Sequence, residues 1–301
     1  MPIHQMMKNL LAPAVCIAVT VSSLPAQSLP VSNIWLFQTA PGPDVWSVTQ
    51  PQFLTAFNAR GYNNQPYFAT DDQLWITVQY GLQTDIHELN LASRTQTPLV
   101  ETPGTSEYSA GQRPESAVLT VVRVEADSTQ RLWAFPFDGY PPEPLFPDIR
   151  GVGYYAWLSE TQAALFIVGK TDQEHTLVVA DMTTPDAVPV RVSAGIGRCL
   201  RTTTDGRLVF VHKATPQTWF LKTYEHKTRR FLTVAVMPTN TEDFVLLPSG
   251  GYLCAAGSRL LQLDAAGAWR PVADLSAFGI SSISRMAMNG KWQLAVVAQE
   301  P

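Results

Sequence analysis

The sequence predicts an all-β fold, a six-bladed β-propeller of four-stranded antiparallel blades. Three observations carry this prediction: an internal repeat of 40 to 45 residues, a composition that favours strands, and chain ends that together complete one blade. Repeats of this length with four short strands in each unit are typical of propellers.

The repeat is clearest between residues 198 and 235, where four short apolar runs are separated by turns. The first turn contains Asp205-Gly206, a pair that favours a type I′ hairpin, in which both central residues have positive φ. Helical repeats of similar length would show a period of 3.6 residues, and no window sustains one. Equivalent first turns recur at Asp71-Asp72, Pro114-Glu115, Ser159-Glu160, Asp205-Gly206, Gly250-Gly251 and Asn289-Gly290.

The composition agrees with a strand-rich fold and restricts the partners. Hydrophobic residues make up 46% of the 301 residues, charged residues only 15%, and 23 prolines and 18 glycines fit many turns. Thr, Val and aromatic residues are abundant, and these favour strands. The net charge of −4 argues against a nucleic-acid partner, which would require a basic patch.

The two chain ends complete one blade. After the last turn only one further strand remains, at 291–298, while unmatched strands lie at 33–39 and 45–49. We therefore expect the N-terminal segment, about 33–49, to join the C-terminal blade and close the ring, which leaves no open seam. No linker interrupts the chain, so residues 31–301 are predicted to form one propeller domain.

The N-terminus is typical of an export signal. Lys8 precedes a short apolar run at 10–21, and Leu24-Pro25-Ala26 resembles a cleavage site. Twelve apolar residues are too few to span a bilayer, which needs about 20. We predict a signal peptide at 1–26, a mature chain without a transmembrane segment, and a periplasmic or secreted location. Of the mature cysteines, Cys199 and Cys254 could pair in that compartment, but we favour two buried free thiols.

Three stretches place a polar turn directly before an apolar or aromatic strand: Thr203-Thr204-Asp205-Gly206-Arg207-Leu208-Val209-Phe210, Ala69-Thr70-Asp71-Asp72-Gln73-Leu74-Trp75-Ile76 and Met288-Asn289-Gly290-Lys291-Trp292. These stretches resemble the repeats of TolB-like propellers of the bacterial periplasm. The complete Ser-Pro-Asp-Gly core of those repeats is absent from every unit. The resemblance implies an exported propeller that contacts other proteins, without identifying a partner.

No motif points to a cofactor, a metal or a catalyst. The stretch Gly151-Val152-Gly153-Tyr154-Tyr155-Ala156 matches a dinucleotide fingerprint, but a strand follows it instead of the required helix. The four mature histidines are too far apart in sequence for a local zinc pair, which leaves only assembly across blades open. We predict no cofactor, no metal and no catalytic residue.

A ligand is expected at the channel mouth, the ring of segments that lead into the innermost strands. Tyr and Arg, which commonly anchor interfaces, are frequent there. The same side chains could instead bond neighbouring blades or line a water-filled channel. The candidate ligand or partner contacts are Glu107, Tyr108, Tyr154, Tyr155, Arg198, Arg201, Glu242, Asp243 and Arg285.

These observations favour a monomeric, non-enzymatic scaffold that binds a protein or peptide at the channel mouth, with another envelope or secreted protein as the partner. The alternative is a carbohydrate-binding, hydrolase or lyase propeller with a polar site at the same mouth, since six-bladed rings host such activities. Glu107, Asp243 and a histidine within hydrogen-bond reach of one another would favour the alternative.

Overall fold

The computed structural model describes residues 29–184 and 188–299, so the predicted signal peptide lies outside the described residues. Two short 3₁₀ helices, Ala56–Asn58 and Ser276–Phe278, accompany the strands. The strands of the described residues are, in chain order, β1 Ser32–Ala40, β2 Ser47–Phe53, β3 Asn63–Phe68, β4 Gln73–Tyr80, β5 Gln83–Asn90, β6 Thr95–Val100, β7 Ser106–Gln112, β8 Val118–Val124, β9 Gln130–Pro136, β10 Glu143–Pro144, β11 Val152–Trp157, β12 Gln162–Ile167, β13 Thr176–Asp181, β14 Val190–Ala194, β15 Ile196–Thr202, β16 Leu208–Lys213, β17 Trp219–Glu225, β18 Arg230–Val236, β19 Phe244–Leu246, β20 Tyr252–Ala256, β21 Arg259–Leu263, β22 Trp269–Asp274, β23 Ile283–Met288 and β24 Gln293–Gln299.

These strands form six antiparallel four-stranded sheets, which confirms the predicted propeller. Blade 1 contains β3 to β6, and blades 2 to 5 each use the next four strands in order. In blades 1 to 5 the first strand is the innermost, and in blade 6 the innermost strand is β23. Blade 6 has the order β2-β1-β24-β23, so both chain ends contribute to it.

The predicted closure by the N-terminal segment is confirmed. Strand β1 pairs antiparallel with β24 from Ser32↔Gln299 to Gln38↔Gln293, and β2 pairs with the other edge of β1. The ring is therefore held by continuous backbone hydrogen bonds between the first and last strands.

The core lies between the blades. Because successive side chains of a strand point to opposite faces, a strand in the middle of a blade supplies two interfaces at once. In β16, Phe210 packs toward blade 3 and Val211 toward blade 5. In β1, Ile34 faces blade 1 and Phe37 faces blade 5. This two-sided burial explains why the second strand of each repeat is a nearly continuous apolar run.

The hairpin turn at Asp205-Gly206 differs from the expected type. Gly206 has a φ of 81°, but Asp205 is not in the left-handed region, so the type I′ prediction is wrong for this pair. Instead, Gly206 N–H donates to the Thr203 carbonyl at 2.9 Å, and the Thr203 hydroxyl donates to the Asp205 carboxylate. A side-chain bond thus stabilises a turn that needs only one left-handed residue.

Several outer strands carry proline, which cannot donate a ladder hydrogen bond and so suits an edge. Examples are Pro98 in β6, Pro144 in β10 and Pro271 in β22. Cys199 and Cys254 are free, buried thiols, as the sequence analysis favoured. No helix within the described residues is long and apolar enough to cross a membrane.

Candidate functional site

A cavity of about 360 Å³ lies inside the ring, against the innermost strands. It extends from the middle of these strands toward their hairpin ends, and blades 1 to 4 supply most of its wall. The volume is at the small end of the range of ligand sites, about 300–1,000 Å³. Tyr67, Tyr155, Trp157 and Leu200 form apolar wall, and the charged lining residues are Arg198, Arg201, Asp243 and Arg285.

Two residues of the cavity wall have strained backbone. Gln65 and Ser109 occupy equivalent places in β3 and β7, with φ of 54° and 53°. Each lies within a β-bulge, where the pairing register shifts. Ser109 N–H donates to Gln65 Oε1 at 2.9 Å, and this bond joins the two bulges. A left-handed residue other than glycine costs about 1–3 kcal/mol and is concentrated at functional sites, while bulges redirect side chains next to them.

A glycine makes room for one aromatic wall of the cavity. A Cβ at Gly111 would lie 2.8 Å from the Tyr155 hydroxyl oxygen, so any larger residue would displace that ring. Tyr155 Oη donates to the Thr120 carbonyl at 2.7 Å, and Trp157 Nε1 donates to Thr120 Oγ1 at 3.1 Å. Burial raises the pKa of the Tyr155 phenol. These rings of β11 are therefore fixed to blade 2 through neutral hydrogen bonds.

Arg285 joins three blades at the cavity. Its Nη2 donates to Tyr154 Oη at 2.9 Å, and its guanidinium carbon lies 4.9 Å from the Tyr154 ring centre. Its Nη1 lies 3.6 Å from Asp243 Oδ2. Asp243 Oδ1 accepts a hydrogen bond of 2.9 Å from Met286 N–H. Burial raises the pKa of Asp243, although the nearby arginines act in the opposite direction.

A second charged group lies beside the start of β15. Arg198 Nε is 2.7 Å from Glu242 Oε1, and Lys213 Nζ is 3.0 Å from Glu242 Oε2. Lys213 also contacts Asp172 Oδ2 at 2.7 Å. Burial by itself raises the pKa of Glu242, but the charges of Arg198 and Lys213 outweigh it, and the pKa is lowered. Glu242 therefore forms ion pairs with both Arg198 and Lys213.

Glu107 and Tyr108 lie away from the cavity wall. Glu107 is fully buried, and its Oε1 accepts hydrogen bonds of 2.8 Å from Arg123 Nε and from Thr105 Oγ1. The guanidinium of Arg123 also lies over the Trp133 ring, 4.5 Å from its centre. Tyr108 packs against the apolar cluster between blades 2 and 3.

The structure thus divides the nine candidate residues into two groups. Glu107, Tyr108 and Glu242 bond or pack within the ring. The other six line the cavity, and they are Tyr154, Tyr155, Arg198, Arg201, Asp243 and Arg285.

The sequence analysis did not select several cavity residues, among them Gln65, Tyr67, Trp157 and Leu200. Their position in the repeat could have identified them, because most residues of the cavity wall lie four to six positions before the first hairpin turn of their unit. Of the predicted mouth residues, Tyr154, Tyr155, Arg201 and Arg285 lie in this window, whereas Glu107 and Glu242 lie seven and eight residues before the turn.

The carboxylate and histidine cluster that would favour an enzyme is not formed. Glu107 is paired with Arg123 and Asp243 with Arg285. Among the described residues no histidine contacts either carboxylate. His175 instead accepts a hydrogen bond from Gly169 N–H and lies 3.5 Å from Asp172. Within residues 29–184 and 188–299, no group of three His, Cys, Asp or Glu residues is arranged to hold a metal.

The geometry defines a closed six-bladed propeller with a central cavity. A protein described as TolB from Agrobacterium tumefaciens has a similar structure, with a TM-score of 0.67, 13% identity, and coverage of 91% of this chain and 100% of that one. TolB from Acinetobacter baumannii gives a TM-score of 0.58 at 11% identity, covering 89% of this chain and 64% of that one. This chain therefore spans about two thirds of the Acinetobacter protein.

An oligogalacturonate lyase in complex with manganese is also similar, with a TM-score of 0.53, 11% identity, and coverage of 91% and 99% of the two chains. No protein-family model and no curated protein matches the sequence. The similarities establish a TolB-like propeller fold. At these identities they establish the fold alone.

Proposed function

We propose that this chain is a periplasmic or secreted binding propeller, which holds a segment of another envelope or secreted protein at the channel mouth and in the central cavity, without catalysing a reaction. The observation that carries the proposal is the cavity wall, where two bulges with left-handed residues meet. Strain of this kind persists only where the surrounding structure enforces it.

The dimensions and lining of the cavity support a segment rather than a folded surface as the occupant. About 360 Å³ accommodates one or two side chains, and the wall combines aromatic rings with arginine. Trp, Tyr and Arg are enriched among the few residues that dominate the binding energy of protein interfaces. The wall is also held by hydrogen bonds from neighbouring blades, so little order must be gained on binding.

Site-specific photocrosslinking tests the proposal. A photoreactive phenylalanine analogue replaces Tyr154 in the cavity, or Tyr140, which is 71% exposed on the outside of blade 2, as the matched control. Irradiation in envelope extracts of the source cells should give a discrete protein adduct from the cavity position only. No adduct at Tyr154, or the same adducts from both positions, would contradict binding at the channel.

Location and oligomeric state have separate tests. The protein recovered from the envelope or medium should begin at Gln27, as mass spectrometry of its N-terminal peptide would show. Size-exclusion chromatography with light scattering should give a monomer. Retention of residues 1–26 in the recovered protein would contradict export by a cleaved signal.

The second candidate is a carbohydrate-binding or lyase propeller. The similarity to an oligogalacturonate lyase and the presence of Asp243, Arg285 and Tyr154 in the cavity favour it. A lyase would release an unsaturated, ultraviolet-absorbing product from oligogalacturonate. Product formation that is lost in Asp243→Asn would favour this candidate over the binding scaffold.

A further inference from the structure

The charges around the cavity do not balance. Arg285 faces Asp243, while Arg198 and Lys213 share Glu242, and Lys213 also contacts Asp172. Adding Arg201 gives four cations against three carboxylates in this group. The group as a whole therefore has an excess of one positive charge.

Arg201 is the cation without a carboxylate of its own. Its Nη2 donates to the Met286 carbonyl at 2.9 Å, and it forms no ion pair with any described residue. Its charge acts on the Asp243 carboxylate, lowering the pKa of that group, but Asp243 already faces Arg285. A guanidinium has five N–H donors, so most of those on Arg201 remain available at the cavity.

An unpaired guanidinium in a concave, partly apolar site attracts an anion more strongly than one on an open surface. Its planar fork matches a carboxylate through two parallel hydrogen bonds. The single excess charge fits a monoanion better than a phosphate dianion, because Asp243 would repel the second negative charge. Beside Arg201 the wall is apolar, formed by Leu200, Tyr67 and Trp157.

We propose that the cavity recognises a carboxylate on an extended segment of the partner protein, with Arg201 binding the carboxylate and an apolar side chain of the same segment packing against Tyr67 and Trp157. This inference rests on the proposed function and specifies the ligand of the same site. The carboxylate could be an Asp or Glu side chain or a C-terminus, which share the same chemistry.

A two-stage experiment separates the inference from the proposed function. First, a phage-displayed library of random dodecapeptides is selected on the chain that begins at residue 27. Enrichment of a peptide family that competes for the cavity supports the proposed function, and no enrichment contradicts both. Second, the enriched peptides are synthesised with each acid changed to its amide, and with free or amidated C-termini.

The inference expects acids next to Phe, Trp or Leu in the enriched peptides. The critical acid-to-amide change should weaken binding about ten- to a hundred-fold, the range for a charge-assisted hydrogen bond. Arg201→Gln should cause the same loss, and in that variant the acid and amide peptides should bind equally. Arg201→Lys should fall between the two, and Arg94→Gln, at an exposed turn, should bind as the native chain does.

Other outcomes would overturn the inference. If selected peptides bind but amide forms bind equally well, or if Arg201→Gln weakens acid and amide forms alike, the proposed function stands and the inference fails. If oligogalacturonate binds through Arg201 while no peptide does, the partner is a sugar acid and not a protein segment. The acid-to-amide comparison on the native chain remains decisive even if the Arg201 variants fail to fold.

Discussion

Replacing Arg123 by Met tests what the buried Glu107 carboxylate does. Glu107 is fully buried, and Arg123 is the only cation paired with it among the described residues. Removal of Arg123 leaves a buried carboxylate without a counter-charge, which typically costs about 3–5 kcal/mol. Burial already raises the pKa of Glu107 above its usual 4.5, despite Thr105 and Arg123. We expect the variant to raise it further.

The pH dependence of this loss follows from that shift. A carboxyl whose pKa is raised by folding stabilises the protein fully below its unfolded pKa, and this contribution is lost as the pH rises through the folded pKa. In Arg123→Met, protonation of Glu107 limits this part of the penalty to about 1.36 kcal/mol per pH unit above 4.5, or about 3.4 kcal/mol at pH 7. At pH 5 the limit falls below about 1 kcal/mol. Loss of the Thr102 hydrogen bond and the Trp133 contact adds about 1–2 kcal/mol at any pH.

Urea denaturation at both pH values measures the effect. We expect Arg123→Met to lose about 3–5 kcal/mol at pH 7 and about 2 kcal/mol less at pH 5. The control Glu107→Gln with Arg123→Met has no titrating group at residue 107, so its loss relative to the native chain should not grow between pH 5 and pH 7. An equal loss for Arg123→Met at both pH values would refute the assignment of the penalty to a buried Glu107 charge.

Three further results are expected. Ser109→Gly should raise the free energy of unfolding by about 1 kcal/mol in urea titrations, because it relieves a left-handed residue, whereas Ser109→Ala keeps the strain and should not. Glu242→Gln should lower the free energy of unfolding by about 1–3 kcal/mol at pH 7. Because folding lowers the pKa of Glu242, the difference in stability between the variant and the native chain should shrink as the pH falls below 4.5. A difference that stays constant with pH would argue against the ion pair. In a chain that begins at residue 27, Cys199 and Cys254 should react with a thiol reagent only after the protein unfolds. Burial raises the pKa of Cys199 to about 12 and also raises the pKa of Cys254, so the reactive thiolate is scarce in the folded state. Rapid labelling of the native protein would contradict this expectation.

The propeller was predictable because its signals are local and repeated. The first hairpin turn recurs in each blade at nearly the same interval along the sequence. A strand in the middle of a blade is a run of apolar residues, because both of its faces are buried. The closure followed from counting strands, since the last repeat lacks the two that the N-terminus supplies. The turn type was less accessible. The preference of the pair Asp-Gly for a type I′ turn takes no account of Thr203, two residues before Asp205. The hydroxyl of Thr203 donates to the Asp205 carboxylate in a turn where only Gly206 has positive φ.

The site was only partly predictable, because bulges change the register. In blade 2, Gln112 pairs with Leu119, and an unbroken ladder from that pair would place Glu107 opposite Val124. The bulge at Ser109 moves the pairing by one residue, so Glu107 faces Arg123 and forms a buried ion pair. Glu107, which the sequence analysis predicts as a ligand contact, is therefore part of the core. No sequence pattern reveals the bulge, since Ser is not a typical left-handed residue.

The same bulge explains why the innermost strands serve two purposes. Two residues before the bulge, Glu107 forms an ion pair with Arg123 inside blade 2. At the bulge, Ser109 lies in the cavity wall, and its N–H donates a hydrogen bond to Gln65 in the bulge of blade 1. After it, Gly111 leaves the space that Tyr155 occupies. One inserted residue thus separates a segment that stabilises the ring from a segment that shapes the cavity. Relieving the strain with Ser109→Gly should therefore raise the free energy of unfolding while weakening the binding of any cavity ligand, because the strained backbone maintains the shape of the wall. A variant that gained stability and bound selected peptides unchanged would show that the strained backbone is dispensable for binding.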